Sequence, residues 1–197
     1  DVVFSSFWGA DADAFAMQSK TRGLPEKSHF LLTMGTEMID DMGDKSIVGS
    51  MFGARGPHAY FAKKTPLSDW FITEYRRAYN KFPPFGAYAA AQAILGIKAA
   101  YEKAAGRAPG KQKSEAVITA LSGLTFETAS GFPVTMANNN GHQAMQATAY
   151  GTFAGWDKDA NQPIVSEVTV YPATCVNPPD GVRALDWIKS GVKGASC

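Results

Sequence analysis

Asp1–Leu24, DVVFSSFWGADADAFAMQSKTRGL, decides the fold: an apolar run, a short break and a helical stretch ended by glycine make the first half of a β-α-β unit. Val2, Val3 and Phe4 are β-branched or aromatic and read as a buried strand, which Ser5 and Ser6 break. Asp11 or Asp13 is expected to cap a helix with Phe15, Met17 and Ser19 in its middle, and Gly23 to stop it. Units of this kind place ligands at the carboxyl ends of their strands, and that end here carries Phe7 and Trp8 beside Gly9. An aromatic side chain at that place is a candidate lid for a small molecule.

Working outward, Ser28–Thr33 reads as a second strand and Ile47–Phe52 (IVGSMF) as a third, separated by an acidic loop with Asp40, Asp41 and Asp44. Thr65 offers an N-cap followed by Pro66, opening a helix with Trp70, Phe71, Tyr75 and Tyr79 near helical spacing. The longest helix runs over Phe85–Ala105; it is apolar nearly all round and is expected to be deeply packed. Ser114 is expected to cap a shorter helix reaching Leu121. Beyond it, Phe126–Met136 reads as extended, Ala147–Phe153 and Ile164–Tyr171 as strands joined by a hairpin loop at Asp157–Asn161, and Ala184–Ile188 as a short helix carrying Trp187. A β-α-β block, then helices without strands, then strands do not make one layered domain. Two lobes explain the order if the chain crosses between them near Ser50–Arg55 and near Asn138–Gln143.

The totals narrow the function. With 197 residues, 45% hydrophobic and 12% aromatic, the chain has enough apolar mass for an ordinary core. Its net charge is +1 and its Lys and Arg are scattered, which leaves no electrostatic footprint for nucleic acid or an anionic membrane. No apolar run approaches the ~18 residues of a membrane span, because Gln92 and Lys98 interrupt the longest. His29, His58 and His142 are isolated from one another and from the cysteines, so neither a metal nor any other cofactor is expected. Gly49, Gly53 and Gly56 fit no phosphate-binding fingerprint, and hinge flexibility accounts better for glycine there. No nucleophile–base pair or carboxylate pair stands in a catalytic setting, so an enzyme is not expected. Cys175 and Cys197 lie in a Pro/Gly-rich tail that a disulfide would tie down, implying an oxidising compartment; two free cytosolic thiols are the alternative.

Several segments, taken in order, resemble the second half of a type I periplasmic solute-binding protein, the branched-chain amino acid-binding family that serves ABC importers. They are DVVFSSFWGADADAFAMQSKTRGL, IVGSMF, WFITEYRRAYNKFPP, YAAAQAILGIKAA, VITALSGLTFETASGFPVTM and NNNGHQAMQATAYGTF, which together reach to about Tyr171. The resemblance implies an α/β, two-lobed fold joined by a three-segment hinge, of which this chain is roughly the second half. It divides the chain into a second-lobe β-α-β portion at 1–53, a first-lobe helical portion at 54–143, and a return to the second lobe with a C-terminal tail at 144–197. The missing N-terminal half of the same protein is then the partner that completes the pocket.

The function it implies is binding of a small-molecule solute, an amino acid or an aromatic or aliphatic carboxylate, outside the cytoplasm in the periplasm or cell envelope. Hinge closure would signal to a membrane permease, and export would use a signal peptide. A sensory module of the same fold, coupled to a regulator or receptor, is the rival reading. The ligand-binding residues it implies are Trp8, stacking over the ligand; Glu37, in MGTEM, holding an ammonium; and Phe52 and Phe85, presenting aromatic rings to the cleft. Gly141-His142-Gln143 resembles an acid-binding D-H-Q motif with its leading Asp replaced, and a turn role for His142 is favoured.

Overall fold

The computed structural model describes residues 1–106, 112–138 and 143–197. In chain order the elements are β1 (Val2–Ser5), α1 (Ala10–Thr21), β2 (His29–Leu32), α2 (Gly35–Met42), β3 (Met51–Arg55), α3 (Pro66–Tyr79), α4 (Phe85–Ala105), α5 (Ser114–Leu121), β4 (Thr125–Phe126), β5 (Val134–Met136), β6 (Ala144–Met145), β7 (Thr148–Asp157), β8 (Gln162–Tyr171), α6 (Ala173–Val176) and α7 (Ala184–Lys189). They form two compact units, one of residues Asp1–Phe61 and Thr148–Val170, the other of Ala62–Ala147 and Tyr171–Cys197.

The first unit is a five-stranded sheet in the order β1-β2-β3-β7-β8. β1, β2 and β3 run parallel, and β7 pairs antiparallel with β3. Paired residues share a face of a sheet, so register sorts the side chains. Val3, Ser5, Phe30, Leu32, Phe52, Ala149, Gly151 and Phe153 fall on one face. There Phe30, Leu32, Phe52, Ala149 and Phe153 join Ala12 and Ala16 of α1 and Met38 and Ile39 of α2 in the core of this unit. The helix α1 ends as its sequence asks: Gly23 adopts φ +64°, and the Gly23 and Leu24 N–H groups donate to the carbonyls of Lys20 and Ser19. Its start differs from expectation. Gly9 occupies the N-cap position without a side-chain cap, and Asp11 and Asp13 lie inside the first turn, where a carboxylate still faces the positive end of the helix dipole.

The second unit holds α3, α4 and α5 and a small sheet in the order β4-β5-β6. Thr65 accepts a hydrogen bond from the Ser68 N–H at 3.1 Å with Pro66 at the first helical position, which sets the start of α3. Its core gathers Ala100, Val117, Ala120, Leu124, Phe126 and Val134. α4 meets it through Gly96, where a Cβ would come within 2.7 Å of the Phe126 ring. Deep packing of α4 is not observed: Tyr88, Gly96 and Ala100 are its buried residues, while Ile94 and Ile97 are more than half exposed. The tail belongs to this unit as well. The Asn177 side-chain amide donates to the Gln146 carbonyl at 2.8 Å, Trp187 is buried, and Cys175 is disulfide-bonded to Cys197.

Two further expectations are corrected. IVGSMF is not a strand throughout: β3 starts at Met51, because Gly49 at φ +82° and the Ser50 N–H bonded to the Ile47 carbonyl make a turn of its first half. The acidic loop is largely helix, since Met38, Ile39 and Met42 recur at helical spacing and face the core. The chain changes unit after Phe61, after Ala147 and after Val170. The tail from Tyr171 sits in the helical unit together with 62–147.

A candidate ligand rim at the strand ends of the first unit

β1 and β2 end side by side. The Thr33 N–H donates to the Ser5 carbonyl at 3.0 Å, tying the two strand ends together, and the Phe7 N–H donates to the Ser5 hydroxyl at 3.2 Å. The chain then has to turn into α1 within a few residues, and Gly9 at φ +57° supplies the left-handed conformation for that step. Phe7 packs edge-on to Phe15 at 5.6 Å, and Phe15 in turn meets Phe30, so the Phe7 ring is anchored to the core. Trp8 is not. It is 69% exposed and has no ring or hydrogen-bond partner among the described residues.

The turn after β2 is built more tightly. Gly35 opens α2 so close to the sheet that a Cβ would lie 2.9 Å from that of Phe52 and 3.0 Å from that of Leu32. The next residue, Thr36, is buried, and its hydroxyl lies 3.1 Å from Nε2 of His58, whose Nδ1 lies 3.0 Å from the Gly56 carbonyl. A carbonyl only accepts, so Nδ1 carries the proton and Nε2 accepts from the Thr36 hydroxyl. Burial holds the His58 pKa below its ordinary value of 6.5, against an opposing pull from the Gly56 carbonyl, and keeps the imidazole neutral at pH 7. Glu37 follows in the first turn of α2, half-buried, with no ion-pair partner among the described residues. The result is an aromatic platform and a carboxylate on the connections after two adjacent parallel strands, at the carboxyl edge where α/β sheets bind small molecules.

The other residues expected at the ligand stand in different settings. Phe52 is fully buried on the covered face of the sheet, 5.3 Å from the Phe61 ring, so it packs the core of this unit rather than facing an opening. Phe85 is the half-buried first residue of α4, in the second unit. His142 lies outside the described residues. The contact between His58 and Thr36 is not legible in the sequence, because a lone histidine does not show which hydroxyl it will meet. Among the described residues, no group of three or more His, Cys, Asp and Glu is placed to hold a metal ion, and no helix is long and apolar enough to cross a membrane.

An open depression of about 370 Å³ lies at the other end of α2, lined by Asp40, Asp41, Asp44, Trp156 and Lys158 among others. Its charges are already engaged in part: Lys158 pairs with Asp44 at 3.2 Å, and the Tyr60 hydroxyl donates to Asp40.

The fold has clear relatives. It superposes on an ABC-type branched-chain amino acid transporter protein from Rhodopseudomonas palustris (TM-score 0.69, 17% identity, 92% of this chain and 46% of that one). It matches equally a leucine-, isoleucine-, valine-, threonine- and alanine-binding protein from Brucella ovis (TM-score 0.70, 18% identity, 91% and 45%). A third is an ABC transporter solute-binding protein from Rhodopseudomonas palustris HaA2 in complex with p-hydroxybenzoic acid (TM-score 0.64, 17% identity, 88% and 45%). The chain thus spans less than half the length of each of these structures. No curated protein matches it. The family model described as periplasmic binding protein matches residues 1–160, and the chain belongs to that family.

Proposed function

We propose that the whole protein is an extracytoplasmic solute-binding protein that delivers a small organic molecule to the permease of an ABC importer. The observation that carries this reading is the pairing of an unanchored Trp8 with a half-buried Glu37 that has no ion-pair partner among the described residues. Both stand on the connections after β1 and β2, in a chain of the periplasmic binding protein family. Trp8 covers the apolar body of the solute. Glu37 accepts hydrogen bonds from its ammonium group, a charge-assisted contact that favours an amino acid ligand. Phe85 is a secondary candidate for a contact from the second unit. The rest of the pocket comes from the other half of the same protein, and ligand stabilises a closed state of two hinged lobes.

A second reading rests on Trp8 alone. An aromatic or aliphatic carboxylate stacks on the indole, its anionic group is held by donors from the other half, and Glu37 stays outside the site. The solved relative holding p-hydroxybenzoic acid supports this variant. A thermal-shift screen of the whole protein separates the two. A solute at about 100 times its dissociation constant should add ~2.7 kcal/mol of stability. Stabilisation by leucine-like amino acids that is lost in Glu37→Gln supports the first reading. Stabilisation by benzoate-like acids alone supports the second, and no response to either panel overturns both.

A further inference from the structure

The helix that carries Glu37 is gripped at two levels by one short segment. Gly56–Phe61 follows β3 and runs to the point where the chain changes unit. It reaches α2 twice: His58 meets the Thr36 hydroxyl at 3.1 Å, and the Tyr60 hydroxyl donates to Asp40. Thr36 and Asp40 are four residues apart, so they stand one above the other on α2, a turn apart. Glu37 lies between these two contacts. The segment itself is firmly set. Ala59 adopts φ +47°, a conformation that an alanine keeps only where its surroundings impose it. Here Pro57, His58 and Ala59 are buried, the Phe61 N–H donates to the His58 carbonyl at 3.0 Å, and the Phe61 ring packs on Phe52.

α2 needs such a grip. It has eight residues and no side-chain cap at its start, short of the ~12–15 residues at which an isolated helix becomes even marginal. Met38 and Ile39 hold its apolar side to the core, but hydrophobic contact is non-directional and tolerates a small rotation or slide. Two hydrogen bonds a turn apart do not, because each has a preferred length and angle. A carboxylate that binds a solute has to be held within ~0.5 Å of its place by such supports.

We propose that His58 and Tyr60 are positioning residues of the ligand rim, which fix the rotation and height of α2 so that Glu37 meets the ammonium group of the solute. Neither touches the solute itself. The proposal rests on the reading of Glu37 as the ammonium contact and adds what makes that contact strong.

Two readouts on the whole protein test it. Without solute, hydrogen exchange of the α2 amides is compared with that of β2 in the parent protein, His58→Leu, Tyr60→Phe and His58→Gln, the last of which keeps an acceptor for the Thr36 hydroxyl. His58→Leu and Tyr60→Phe speed exchange in α2 at least about tenfold and leave β2 unchanged, while His58→Gln restores the slow rate. Calorimetry with leucine then reads the consequence. His58→Leu weakens binding at least about tenfold, but less than about twofold further in a Glu37→Gln background, because it acts through Glu37. Unchanged α2 exchange in both variants overturns the proposal, as does faster exchange with unchanged affinity. Equal losses in the two backgrounds, with Glu37→Gln itself harmful, overturn it while sparing the ammonium reading. Leucine affinity that is absent or indifferent to Glu37→Gln overturns that reading and takes the proposal with it, so the two failures are distinguishable. Tyr60→Phe, which removes a single oxygen, keeps the test decisive should His58→Leu not fold.

Discussion

The loop after β1 and the turn after β2 leave the same edge of the sheet, but they are held differently. The second is braced from three sides: Gly35 presses α2 against Phe52 and Leu32, the Thr36 hydroxyl meets a buried His58, and His58 leans on the Gly56 carbonyl. The first is anchored by one ring, Phe7 on Phe15, and its outermost side chain, Trp8, has no ring or hydrogen-bond partner among the described residues. A fold keeps a large, exposed and unanchored aromatic at low cost, but gains no stability from it. The contrast therefore separates residues that make the rim from the residue offered by it, and mutations should separate them too.

The largest effect is expected beneath the braced turn. Phe52→Ala removes a fully buried ring that packs against Phe61, and should cost about 3–5 kcal/mol in urea unfolding. Phe52→Leu, which keeps most of the volume, should leave solute affinity within about twofold. A large affinity loss with little destabilisation would return Phe52 to the cleft. Gly35→Ala comes next. The added methyl meets two Cβ atoms that cannot swing away, so α2 must lift, at about 1–3 kcal/mol. The same change at Gly9 meets no atom within 4 Å and costs only the strain of φ +57°. Comparable losses at the two glycines would show that the turns are braced alike.

How much of this contrast was legible depends on how local its cause is. Thr65-Pro66 fixes its own helix start, and Gly23 its own helix end, because the hydrogen bonds that matter are three to five residues apart. The ends of α4 follow from Pro84 before it and Gly106 after it, yet its burial does not, because exposure depends on what lies opposite. The helix in MGTEMIDDM was masked by its aspartates, and IVGSMF by an apolar look that a Gly-Ser turn interrupts. At the candidate rim, the positions of Trp8 and Glu37 just beyond β1 and β2 follow from the strand ends alone. The His58–Thr36 contact joins residues 22 apart and required the structure. The faces of the sheet depend on register across four strands, which no single segment carries.

The brace should also respond to pH. Burial lowers the folded-state pKa of His58, so below about its ordinary value of 6.5 the unfolded chain binds a proton that the folded chain resists. The stability associated with neutral His58 is fully present above that value, is lost as pH falls through it, and levels off below the depressed folded pKa. Urea midpoints measured between pH 7.5 and pH 4.5 should show this decline, with a shallower slope in His58→Gln. An identical slope in the variant would mean that other groups carry the dependence.

Trp8→Ala should change stability least of all, within about 0.5 kcal/mol, because an exposed side chain of this kind leaves no cavity and no unpaired group behind. Its effect belongs to the ligand. If the indole stacks on the solute, affinity falls by about 1–3 kcal/mol, roughly five- to 150-fold, in calorimetry of the whole protein. Phe7→Ala gives the reverse pattern: it removes the ring that rests on Phe15, so it loses stability more than affinity. A Trp8→Ala protein that melts normally and binds normally would leave Glu37 as the sole contact claimed for this rim. A protein that melts low would mean that the loop after β1 is braced after all, by contacts made with the other half.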